Sequence, residues 1–318
     1  MRFFVNAKFD FIGRRRPAYI GTAIFMVLGL VITVVRGLNY SVEFTGGTLM
    51  QIHSQAPIDV GAVRTGLADQ GITGAEIQTF GNDQELVIRA RVAVEGSDAD
   101  NTQVTSAAVA AALDGVLGAG SYDVVRTEAV GPKVGGELRS QAFFAIMLSF
   151  LAVLAYLAYR FEWRFGVAAV AATAHDVIAT LLFIGIMRLE ISLFVVAGIL
   201  SVLGYSLNDT IVIFDRIREN LRQSRRDDFV AILNRSINET LPRTILTGGT
   251  SLGTLTALAV IGGEVIRPFA LVMLFGVVVG TFSSIFIASP VLLEVENKWP
   301  GADAKGVPVV KRKPQTAS

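Results

Sequence analysis

The chain has no cysteine and only two histidines, His53 and His175, in 318 residues. The first absence removes disulfides, thiol nucleophiles and thiolate metal sites. The second leaves too few imidazoles for a metal centre. Charge is also scarce: 17% of residues are Asp, Glu, Lys or Arg, and the formal net charge is +1. Without a basic excess there is no electrostatic footprint for nucleic acid. What is abundant is apolar, 52% of all residues with a mean hydropathy of +0.54, a composition that fits an integral membrane protein.

Runs long enough to cross about 30 Å of hydrocarbon at about 1.5 Å per residue occur over residues 17–36, 141–159, 165–187, 191–214, 243–262 and 267–293. Arg14-Arg15-Arg16 before the first run resembles the start of a secretory signal, but the run is long and Arg36-Gly37-Leu38-Asn39 offers no small-x-small cleavage site. An uncleaved anchor is expected. The organisation read from the sequence is an N-terminal segment 1–16, a first membrane helix 17–37, a loop domain 38–138, a five-helix bundle 139–297 and a disordered tail 298–318.

Lysine and arginine set the orientation. Arg2, Lys8 and Arg14 to Arg16 precede the first span. Arg216, Arg218, Arg222, Arg225, Arg226 and Arg235 join the fourth to the fifth, and Lys298, Lys305, Lys311, Arg312 and Lys313 follow the sixth. Six spans put all three groups on one side. Leu38 to Leu138 carries thirteen acidic against five basic residues, the reverse bias. Both termini are therefore expected in the cytoplasm and the large loop outside it.

In the loop, Thr48 to Ser54 alternates as a strand and Ile58 to Gln70 reads as a helix stopped by Gly71. Glu76 to Phe80 and Glu85 to Arg91 read as strands joined at Gly81-Asn82-Asp83. Thr102 to Leu117 is an Ala-rich helix closed by Gly118, and Ser121 to Val130 is a last strand. This is the βαββαβ order of a ferredoxin-like α+β domain. Asp59, Asp69, Glu76, Asp98 and Asp100 read as a solvated acidic surface. Gly46-Gly47 lacks the lysine and following helix of a phosphate loop and reads as a flexible joint. Phe229, Ile232, Leu233 and Ile237 recur at helical spacing in the basic connector and suit a helix lying on the membrane surface.

The fourth span holds the chemistry. Ser201, Tyr205, Asn208 and Asp209 stand at offsets 0, 4, 7 and 8 and share one helix face; Arg243, Thr247, Thr250, Ser251 and Thr254 stand at 0, 4, 7, 8 and 11 in the fifth. A carboxylate within a span is disfavoured by roughly 2.5 to 3.5 kcal/mol and faces protein or water, not lipid. Two facing polar stripes could form a hydrated path, and a change in the Asp209–Arg243 separation would switch the proton affinity of Asp209. Two readings of each group stand. Asp209 is a proton site or a buried structural acceptor. Arg243, beside Pro242, is its partner or a snorkelling anchor, while Asp215 and Arg216 form a border pair. His175-Asp176 in the third span is a proton relay or an interhelical hydrogen bond. The spacings Gly249-x-x-x-Gly253, Gly276-x-x-x-Gly280 and Gly280-x-x-x-Ser284 suit close packing of the fifth and sixth helices.

The run Gly204-Tyr205-Ser206-Leu207-Asn208-Asp209-Thr210-Ile211-Val212-Ile213-Phe214-Asp215-Arg216 resembles the signature of the SecF family. So do Lys8-Phe9-Asp10-Phe11, Phe44-Thr45-Gly46-Gly47-Thr48, Val130-Gly131-Pro132-Lys133-Val134-Gly135, His175-Asp176, Ser236 to Thr244 and Gly280 to Ala288. The resemblance implies a six-helix, RND-like half that pairs with SecD. It also implies an accessory role at the SecYEG channel, with YajC and YidC as further neighbours, in the bacterial inner membrane. There the proton-motive force would drive late preprotein translocation, with no covalent chemistry and no cofactor beyond protons. It makes Asp209 and Arg243 the expected proton-coupling residues; Asn208 joins them from the helix face described above, with His175, Asp176, Tyr205 and Thr247 as secondary members. An aspartate expected on SecD is missing from this chain, so the proton path should need both. Glu43 stands where the family usually has Asp, and Gly248-Gly249 where a small hydroxyl residue is common. The rival readings are half of an RND exporter of lipids or small molecules, and a non-transporting scaffold for SecD.

Overall fold

The computed structural model describes residues 8–72, 75–80, 82–90, 102–223 and 227–299. The expected tail, apart from Lys298 and Trp299, and the acidic positions Asp98 and Asp100 lie outside them. The chain divides into two compact units, one of sheet and helix built on residues 40–145 and one of membrane helices.

In the sheet unit, β1 (Asn39–Tyr40) and the single turn α2 (Val42–Thr45) lead into β2 (Gly47–Ser54), α3 (Val60–Asp69), β3 (Glu76–Phe80), β4 (Asn82–Ala90), α4 (Thr102–Leu117) and β5 (Tyr122–Val130). The sheet order is β3-β4-β2-β5, with every pair antiparallel. That is the expected ferredoxin-like arrangement, and side-chain alternation explains it. Met50, Ile52, Leu86 and Ile88 point to one face and bury against Val63 and Leu67 of α3 and Val109 and Leu113 of α4. Leu49 and Val87 point to the other and meet Val42. Asp59 caps α3 by accepting from Gly61 N at 2.7 Å and Ala62 N at 3.3 Å, and Gly71, at φ +77°, follows its end. The Tyr122 hydroxyl donates to Asp114 at 2.9 Å. Burial first, then that bond and the Asp114 charge, push its pKa up to about 12.

Gly46 and Gly47 are not the flexible joint expected. Both have positive φ, +72° and +130°, and a Cβ added at Gly135 would lie 2.9 Å from the Gly46 nitrogen. The pair makes a fixed turn under the start of α5 (Pro132–Arg160). Just before it, Glu43 Oε2 accepts from Leu193 N at 2.6 Å, capping the first residue of a long helix.

The membrane unit holds α1 (Arg15–Arg36), the C-terminal part of α5, α6 (Trp163–Met187), the two-residue strand β6 (Glu190–Ile191), α7 (Leu193–Gln223), α8 (Phe229–Ile261), α9 (Gly263–Ser283), a π-helical turn Ser284–Ala288 and α10 (Ser289–Lys298). Among the described residues six segments are long and apolar enough to span a membrane, the sixth running from α9 through α10. The surfaces of α1 and α5 are apolar and bare, with Ile24, Val31, Phe143 and Leu148 each more than half exposed, as lipid contact requires.

The connector helix departs from the expectation of a surface-lying segment. Phe229, Ile232, Leu233 and Ile237 are buried in the main core with Phe165, Phe214 and Ile217, and their helix continues unbroken through Pro242 into the fifth span. An apolar stripe does not reveal whether it faces lipid or protein. Ahead of α1, Asn234 and Asn238 of α8 hold the N-terminal segment. Asn238 exchanges two 2.9 Å bonds with the Phe9 backbone, and Asn234 accepts from Phe11 N and Ile12 N.

Candidate functional site

Asp209 sits on α7 and is 4% exposed. Its Oδ2 accepts a long 3.4 Å hydrogen bond from Thr281 of α9. Among the described residues no ion pair joins it to Arg243. That side chain is exposed on α8. Asn208, one residue away, is exposed. At about 100° of helix rotation per residue, neighbours on one broad stripe point to different surroundings.

The expected meeting of two hydroxyl stripes holds for part of their length. Tyr205 of α7 and Thr250, Ser251 and Thr254 of α8 line one groove with Leu255, Met273 and Val277, enclosing about 320 Å³. The Tyr205 hydroxyl is buried without a hydrogen-bond partner among the described residues, so it can serve a guest water or a neighbouring chain. Thr247, Thr250 and Thr254 spend their hydroxyl protons on the carbonyls of Arg243, Leu246 and Thr250. Their oxygens still accept. Ser201 and Asn208 face outward, away from this groove.

The second carboxyl of the bundle is better held. Asp176 on α6 is 1% exposed. His175 Nδ1 lies 2.8 Å from its Oδ1, and Ser283 of α9, at 2.7 Å, and Ser206 of α7 both donate to its Oδ2. Thr210 and Ser284 share a further hydroxyl bond of 2.8 Å between α7 and the π turn. The other flank of His175 meets an apolar recess of about 370 Å³, shared with Thr22 and Phe25 of α1 and Phe275 and Phe282 of α9. Sequence reasoning missed Ser206, Thr281, Ser283 and Ser284, whose partners are 30, 72, 107 and 74 residues distant. The available signal was the fourfold spacing of small residues through positions 276, 280 and 284.

The fifth and sixth helices do pack together, but the glycines of the sixth face the fourth. A Cβ at Gly276 would lie 2.9 Å from Val202 Cβ, one at Gly280 would lie 2.9 Å from Ser206 Cβ, and Gly198 sits against Val272. A Cβ added at Gly249 or Gly253 would meet nothing within 4 Å outside its own helix turn.

The model of the protein export membrane protein SecD/SecF C-terminal region matches residues 109–298, and that of the SecD/SecF GG motif matches residues 31–58. The SecF protein translocase subunit of Gemmatimonas aurantiaca is 52% identical over 95% of this chain and 92% of its own. That of Magnetococcus marinus is 42% identical over 96% and 97%. A crystal structure of SecDF from Thermus thermophilus, a translocon-associated membrane protein, superposes with a TM-score of 0.80 at 33% identity over 92% of this chain. A SecDF structure in a super-membrane-facing form gives 0.66 at 34%. The chain spans 39% of each SecDF chain. It belongs to the SecF family of protein-export membrane proteins.

Proposed function

We propose that this chain is the proton-coupling SecF half of a SecD–SecF pair, an accessory subunit that uses the proton-motive force to help draw preproteins through the SecYEG channel. The observation that carries the reading is Asp209. It is a carboxyl 4% exposed in the middle of a span, with a long bond to Thr281 and no ion pair with Arg243. A group so placed is free to exchange a proton as its surroundings change.

Arg243 modulates that exchange from α8. Tyr205 lines the groove beside it with the α8 hydroxyls, Asn208 and Thr247 belong to the polar faces that a partner would complete, and His175 and Asp176 support the site from α6. No covalent step and no cofactor other than protons enters. The exposed polar face carrying Asn208 and Arg243 is unsuited to lipid, and the SecD helices would cover it and supply the second acid. Both termini would lie in the cytoplasm of a bacterium, the chain crossing the inner membrane, with YajC and YidC as neighbours of the assembly.

The test is reconstitution of the chain with SecD and the channel under an imposed proton gradient, following late-stage preprotein release. Asp209→Asn should abolish the gradient-dependent part, and Arg243→Ala should reduce it at least tenfold. Undiminished gradient dependence in both variants would exclude proton coupling through this pair.

A further inference from the structure

The α7–α9 contact is a regular ladder. Gly198 meets Val272, Val202 meets Gly276, Ser206 meets Gly280 and Thr210 bonds Ser284, so each rung joins residues 74 apart. A constant difference means that the two helices run parallel, with i±4 ridges interlocked. On three of the four rungs one partner is glycine: Gly198 and Gly276 receive the branched side chains of Val272 and Val202, and Gly280 meets the Cβ and Cα of Ser206, which cannot rotate away. Asp209 and Thr281 each lie one position or a few beyond the Ser206–Gly280 rung, on the flank nearer α8.

Asp176 enters this ladder from α6 at the same level. Its Oδ2 takes the hydroxyls of Ser206, from α7, and Ser283, from α9, at one atom. Both serines are buried, and Ser283 is the last residue before the π turn. A π turn adds a residue to the helix and redirects the side chains beside it. Here it lets consecutive residues, Ser283 and Ser284, serve two different helices.

We propose that Asp176 is a positioning residue for Asp209. By pinning α7 and α9 to α6 through one oxygen, it sets the depth and rotation at which Asp209 meets Thr281 and feels Arg243, and it is not itself a station for the transported proton. The inference rests on the proton-coupling reading above. The ionisable groups facing the two carboxyls are His175, on the Asp176 side, and Arg243 with Tyr205, on the Asp209 side. α9 presents Thr281 and Ser283 and no charge between Leu271 and Ala288.

The role makes a distinctive demand on substitutions. Asparagine at 176 keeps a carbonyl oxygen to accept from both serines, whereas alanine removes the pin. Ser206→Ala with Ser283→Ala removes it while leaving the carboxyl in place.

The experiment uses the SecD–SecF pair in lipid vesicles. It measures two things: gradient-dependent release as before, and labelling of Asp209 by a membrane-permeant carbodiimide, which adds to carboxylic acids and not to carboxylates, as a function of pH. Arg188 lies between the two aspartates, so tryptic peptides report on each separately.

Asp176→Asn is expected to keep most gradient-dependent release and the wild-type labelling midpoint. Asp176→Ala and the double serine variant are expected to move the Asp209 midpoint by about one pH unit, a tenfold change in proton affinity. Loss of release in Asp176→Asn as complete as in Asp209→Asn would overturn the proposal by making Asp176 a station. An unmoved midpoint in the double serine variant would also overturn it. Wild-type Asp209 labelling that ignores pH would instead remove the proton reading beneath it.

Discussion

At the scale of single residues, the difference between the two buried aspartates is one of partners. Asp176 is saturated by an imidazole and two hydroxyls, whereas Asp209 has one long bond. Burial of a polar group is tolerated when its hydrogen bonds are made, which is why the under-served carboxyl is the one proposed above as the proton site. Tyr122, outside the membrane, gives a pH prediction of the same kind. Its folded-state pKa is raised to about 12, so the folded state holds the proton longer than the unfolded one. Its contribution to stability is complete below the ordinary phenol range and is lost as pH rises through that range toward about 12. In ultraviolet titrations, the difference between wild type and Tyr122→Phe should show late ionisation, and Asp114→Asn should bring that ionisation to lower pH. The burial of Asp209 against protein was legible in the sequence, because a carboxylate in an apolar run must face protein or water and not lipid. Its contact with Thr281 was not, because a hydrogen bond between residues 72 apart leaves no local pattern.

At the scale of elements, the α7–α9 ladder predicts a contrast among glycines of one spacing. Gly276→Leu and Gly280→Val force side-chain atoms into Val202 and Ser206 and should each destabilise by about 1–3 kcal/mol. Gly249→Ala and Gly253→Ala fill open space and remove backbone entropy, and should stabilise α8 by up to about 1 kcal/mol. Thermal unfolding of the purified pair measures both, and a Gly280→Val protein as stable as wild type would refute the ladder. The sheet domain was readable because period-two strands and glycine-terminated helices are local signals. The partner of the glycine stripe was not, since small residues state that something approaches and leave open which helix it is. The same ambiguity concealed the true surroundings of Phe229, Ile232, Leu233 and Ile237, whose spacing fits a lipid surface as well as the protein core they occupy.

At the scale of the whole molecule, the membrane helices fall into two sets. The third, fourth and sixth spans bury half or more of their most apolar windows, while the first, second and fifth bury 6%, 6% and 17%. The well-packed set carries Asp176, Asp209 and the ladder, and the fifth carries Arg243. The arginine thus stands on a helix whose membrane half is largely uncovered while its connector half is buried in the core. Each proton crossing the membrane makes about 2.3 kcal/mol available per 100 mV. The zero cysteine count leaves the chain free of thiol background for labels that would follow such a movement.

The central claim is that protons pass through Asp209, and proton flux tests it most directly. Vesicles containing the SecD–SecF pair and a trapped pH-sensitive dye are given a membrane potential, and the internal pH is followed. The account predicts acidification with the wild-type pair, and none beyond the leak of empty vesicles with Asp209→Asn or with this chain alone. Acidification by Asp209→Asn at the wild-type rate would contradict it.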